Sequence, residues 1–79
     1  MLTMKLIKKT EDNVTYEYYP ENNKDFPGLI GLNLKTNERQ FIKDSSEDFD
    51  KWYASHAIER IEKYNKSGKF LEYDKVAWY

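Results

Sequence analysis

Cysteine is absent from this 79-residue chain, histidine occurs once, proline twice and glycine three times. Without thiols there are no disulfides and no thiolate metal sites, so packing alone must hold the fold. One imidazole gives zinc too few of its preferred ligands. It also leaves His56 as the only candidate for acid–base work near neutral pH. No apolar run approaches the roughly 20 residues that span a bilayer. The opening stretch, Met1 to Lys9, lacks the long apolar region and small-residue cleavage site of a secretory leader. An excess of one charge is missing too: 13 Lys and Arg stand against 14 Asp and Glu. Residues 1–40 carry six of each sign, and residues 41–79 carry seven basic and eight acidic. A duplex-binding protein normally shows a basic footprint that displaces counterions, and composition shows none. These absences point to a cytoplasmic protein without cofactor, metal or membrane span.

Rings are what the chain has in quantity: seven Tyr, four Phe and two Trp. A chain this short buries only about 60–65% of its unfolded surface, so bulky side chains must fill the interior. Each ring can bury about 150–250 Å². One domain spanning residues 1–79 is the expectation.

Residues 3–10 and 13–19 read as strands joined by a polar turn at Glu11-Asp12-Asn13. Val14, Tyr16 and Tyr18 alternate with Thr15, Glu17 and Tyr19, the period-2 pattern of a half-buried strand. Pro20 ends it by withholding a ladder donor. Pro27-Gly28 closes a polar loop. A third strand follows, with Ile30, Leu32 and Leu34 on one face. Thr36-Asn37 makes a tight turn into a fourth strand, Glu38 to Lys43, because Asn tolerates the left-handed conformation.

A helix is predicted over Ser46 to Lys66. Ser45 and Asp48 have capping-box spacing, and Glu47, Asp48 and Asp50 suit the positive end of the helix dipole. Phe49, Tyr53, Ala57, Ile61 and Tyr64 recur at helical spacing, flanked by Ala54 and Ile58. Gly68 stops the helix. The fold class is therefore α+β: an antiparallel meander of three or four strands with one long helix on one face. Leu6, Val14, Tyr16, Tyr18, Ile30, Leu32 and Leu34 should meet the helix stripe. The closing Val76-Ala77-Trp78-Tyr79 should dock, as a further strand or over the helix–sheet seam.

Four residues stand out as candidate binding positions. Trp52 and His56 share a shoulder of the apolar arc, where Trp52 stays partly exposed unless the tail covers it. Trp78 ends the tail. Tyr19 faces away from Tyr16 and Tyr18, and with Lys5, Lys8 and Lys9 it could stack and neutralise single-stranded nucleic acid. The acidic run Asp44, Glu47, Asp48 and Asp50 lacks the glycine and ligand spacing of a calcium loop, and capping explains it.

The run Tyr53-Ala54-Ser55-His56-Ala57 with Ile58 and Ile61, then Ser67-Gly68-Lys69-Phe70 and Val76-Ala77-Trp78-Tyr79, resembles a group of short uncharacterised bacterial and phage-borne proteins. Those show a Tyr-x-x-His-Ala helix, a Gly-x-Phe turn and a terminal Ala-Trp-Tyr. The resemblance covers roughly residues 45–79 and implies a shared fold with no assigned activity. The chain departs from that pattern at Leu71-Glu72-Tyr73, where a Pro followed by acidic residues is common, which leaves the path of the tail open. Phe26-Pro27-Gly28-Leu29 is more weakly similar to a loop of HicB-type antitoxin domains, whose order of elements differs.

The leading functional expectation is a non-enzymatic module that binds another protein, as monomer or homodimer, in a mobile-element or phage-related accessory role. Single-stranded nucleic-acid binding or an antitoxin-type role is the alternative. An enzyme using His56 is the third and least favoured reading, since it would still need a nucleophile or a substrate-stabilising group from elsewhere.

Overall fold

A computed structural model describes residues 1–77; Trp78 and Tyr79, and the expectation placed on them, lie outside the described residues. The architecture is α+β. Strands β1 (Leu2–Lys9), β2 (Asn13–Pro20), β3 (Gly28–Asn33) and β4 (Arg39–Lys43) form an antiparallel meander, and helix α1 (Trp52–Ser67) crosses one face of it. The chain then adds β5 (Tyr73–Val76) to the outer edge of β1, giving the order β4-β3-β2-β1-β5. The C-terminal segment thus docks as an extra strand.

Side-chain alternation sets the register. Leu2, Met4 and Leu6 of β1 lie opposite Pro20, Tyr18 and Tyr16 of β2, and Val14 and Tyr16 lie opposite Leu32 and Ile30 of β3. Those even-numbered β2 positions face the helix. Turn chemistry holds the hairpins. Asn33 Oδ1 accepts the Lys35 and Thr36 amides at 2.9 and 3.0 Å, and Asn37 takes φ 63°, the left-handed conformation asparagine tolerates.

The core gathers Leu2, Met4, Val14, Tyr16, Tyr18 and Ile30 with Ala54, Ala57, Ile58 and Ile61 of the helix. Full burial of each large aliphatic side chain contributes about 1.5–3 kcal/mol. Leu6 and Leu34 are only partly buried at its rim. Gly28 is required by close approach, since a Cβ there would lie 2.3 Å from the Tyr18 ring. Gly68 ends the helix at φ 77°, where a side chain would be strained.

Two details differ from the sequence expectation. The α-helix begins at Trp52, six residues after Ser46, because Asp50 and Lys51 both take positive φ, 51° and 59°. Phe49 therefore precedes the helix and is 83% exposed instead of lying in the core. In β1, Leu6 pairs with Tyr16 and Lys8 with Thr15, so Ile7 is an extra residue in a bulge. A bulge of one residue exchanges the faces of everything after it.

Candidate functional site

Two carboxylates tie the helix to the sheet, and they decide which rings remain for binding. Asp48 accepts the amides of Tyr53 and Ala54 at 2.9 and 3.1 Å, two of the unpaired donors at a helix start. The Tyr18 hydroxyl donates to the same carboxylate at 2.8 Å and accepts the Ser45 amide at 3.1 Å. Asp48 is thus the cap, and the expected role of Ser45 is replaced: its hydroxyl donates to Phe26 O and accepts the Glu47 amide. Burial first, then the bond to Asp48, pushes the Tyr18 phenol above its ordinary value.

Asp74 of β5 performs the matching task at the other end. It accepts the Tyr64 hydroxyl and pairs with Arg60 at 3.2 Å. Burial and Asp74 raise the Tyr64 phenol. Tyr16 donates to Leu71 O at 2.6 Å, and burial then Asp74 pushes its phenol up to about 12. Tyr16 and Tyr18 therefore belong to the frame, as the alternation implied.

The sharp entry into α1 throws rings outward. Trp52 is 56% exposed. It lies nine residues before the buried Ile61, half a rotation around the helix at about 100° per residue. The shoulder expected for Trp52 is thus corrected to the outermost line of the helix, because the sheet meets an arc centred on Ile61. His56 is half-buried beside it and meets the indole edge-on, with ring centroids 5.1 Å apart. Lys51 links this corner to the sheet edge: its Nζ stands 5.5 Å from the Phe41 ring centroid and 3.3 Å from Asp44. Ile42, next to Phe41, is 53% exposed. Asp44, Glu47 and Asp50 rim the corner as exposed carboxylates. Among the described residues, no three of His, Asp and Glu gather into a group that could hold a metal.

Tyr19 does face away from the helix, opposite Thr3 of β1. Its ring is only 6% exposed and its hydroxyl donates to Glu17. Burial, then Glu17, pushes that phenol up to about 12. A ring so covered offers no stacking surface. The expected lysine trio also divides: Lys5 and Lys8 lie on the Tyr19 face, whereas Lys9 follows the bulge to the helix side, 5.1 Å from the Phe70 ring centroid. Half-exposed Tyr73 takes the place expected of Tyr19, opposite Lys5.

Family models, curated proteins and solved structures alike return nothing similar to this chain.

The structure brings Trp52 and His56 together, keeps Tyr19 apart from them, and adds Phe41, Ile42, Phe49 and Tyr73 as exposed apolar side chains. Phe49 was hidden by its helical spacing from Tyr53. Tyr73 lay in the segment whose path the sequence left open.

Proposed function

We propose that the chain is a small non-enzymatic module that binds another protein at the corner between β4 and the start of α1. The observation that carries this is the outward placement of Phe49 and Trp52, 83% and 56% exposed, at a helix start that Lys51 joins to the exposed Phe41 ring of an edge strand. Large contiguous apolar surface is uncommon on monomers and marks interaction sites. Tryptophan is enriched among residues that anchor interfaces. The Asp44, Glu47 and Asp50 rim favours a partner with basic side chains around an apolar centre, since complementary rims steer and align association.

The test is affinity capture under native conditions with wild type and the Phe49→Ala, Trp52→Ala double variant, quantified by mass spectrometry. Both side chains are largely exposed, so the double variant should keep its circular dichroism spectrum. A protein retained by wild type and lost from the folded variant supports the reading. Equal recovery by both, or no specific protein with either, ends it.

A further inference from the structure

The sheet face away from the helix has a charge balance that the whole chain hides. Strand register puts Lys5, Lys8, Lys43 and Lys75 on that face, opposite Glu17, Thr15, Leu29 and Thr3 respectively. Among the described residues Glu17 is the only strand carboxylate there, and it already accepts the Tyr19 hydroxyl. Among the described residues none of these four lysines makes an ion pair. The chain as a whole is at −1, so folding has sorted its charge. Glu62 and Asp74 pair with arginines on the helix side, and Asp44, Glu47 and Asp50 sit in the loop before α1.

Ring and amide groups accompany the lysines. Tyr73, 50% exposed, lies beside Lys5, and the two line a groove of about 420 Å³ along the β1 edge with Lys8, Lys9 and one carboxylate, Glu72. Lys8 also borders a second depression of about 330 Å³ formed with Asn13, Thr15 and Gln40. The two depressions share Lys8, so a track runs from the Tyr73 ring to a cluster of amide and hydroxyl groups. Five strands at about 4.8 Å spacing make this face about 19 Å wide.

We propose that this uncovered face binds single-stranded nucleic acid, with Tyr73 stacking a base and Lys5, Lys8, Lys43 and Lys75 meeting phosphates. Stacking on rings beside basic side chains is how single strands are held without sequence preference. A duplex keeps its bases stacked on each other and cannot use the ring. An acidic peptide would use the lysines but not the ring or the amides. The surface is separate from the Phe49 and Trp52 corner, which lies at the start of the helix on the other side of the sheet.

Fluorescence anisotropy with labelled 12-nucleotide oligothymidine and oligouridine tests this. Binding should be clear at 50 mM salt and weaken with a log–log slope of about −2 to −3, as three or four phosphate contacts to a single strand require. Tyr73→Ala should weaken it about 5- to 150-fold, the range for loss of one stacking ring, while Tyr73→Phe retains it. Lys8→Glu, at an exposed position, should weaken it at least about 10-fold by replacing attraction with repulsion. Phe49→Ala, Trp52→Ala protein should bind as wild type does, which separates this site from the protein-binding corner. Four results would overturn the proposal: no anisotropy change at 50 mM salt, full binding by folded Lys8→Glu, full binding by folded Tyr73→Ala, or competition by polyglutamate or duplex as effective as the unlabelled oligonucleotide.

Discussion

The two faces of the sheet use the same residue type for opposite ends. On the helix face, Tyr16 and Tyr18 are wholly buried and their hydroxyls are committed to Leu71 O and Asp48. On the other face, Tyr73 stands half exposed beside Lys5. The difference is positional. A tyrosine covered by α1 must satisfy its hydroxyl inside the protein, because an unpaired buried hydroxyl costs about 1–3 kcal/mol. That demand places Asp48 and the Leu71 carbonyl, and so fixes where the helix begins and where β5 returns. Tyr73 on the other face carries no such demand and leaves its ring exposed, whereas its neighbour Tyr19 on that face is covered and bonds Glu17. The helix side of the sheet holds the packed framework and, at the start of α1, the Phe49 and Trp52 corner, and the opposite face holds the surface proposed for nucleic acid.

High pH is the strongest way to break this contrast. Folded Tyr16 and Tyr19 are raised to about 12, and Tyr18 and Tyr64 are raised as well. An unfolded tyrosine ionises near 10. Below pH 10 both states keep the phenol proton, and stability is full. Above it the unfolded chain loses protons that the folded chain retains, so stability falls as pH rises from 10 toward 12. Each phenol so raised lowers stability by at most about 1.4 kcal/mol per pH unit across that window. Urea midpoints measured from pH 8 to 11.5 should be flat below 10 and then fall steeply. A smaller effect follows from mutation. Tyr16→Ala should cost about 3–5 kcal/mol, the range for losing a buried ring. Tyr73→Ala should change stability by no more than about 0.5 kcal/mol, as an exposed site allows. Equal losses from the two in denaturant titrations would erase the distinction between the faces.

Much of this was legible in the residues. Alternation along Val14 to Tyr19 assigns the two faces of β2 correctly, and the stripe from Tyr53 to Tyr64 locates the helix that covers one of them. Asn37 and Gly68 announce a turn and a helix stop by their tolerance of positive φ. The helix start was not legible, because Phe49 lies one turn before Tyr53 in an unbroken apolar pattern. The break is made by positive φ at Asp50, which tolerates it, and at Lys51, which seldom adopts it. The basic face was hidden for a related reason. Plain alternation groups Lys5 with Lys9, and the bulge at Ile7 replaces Lys9 with Lys8. Lys43 joins them only after a second register shift, between Leu29 and Ile30. Trp52 was misplaced by a fraction of a turn, since an arc read from sequence has no marked centre until the sheet touches it.

Tyrosine nitration under native conditions, mapped by peptide mass spectrometry, tests the division between the faces most directly. Tyr73 should be modified in folded protein while Tyr16 and Tyr18 stay unmodified until denaturant is added. Nitration of Tyr16 or Tyr18 at the rate of Tyr73 in the folded chain would contradict the division between rings locked under α1 and a ring left open on the far face.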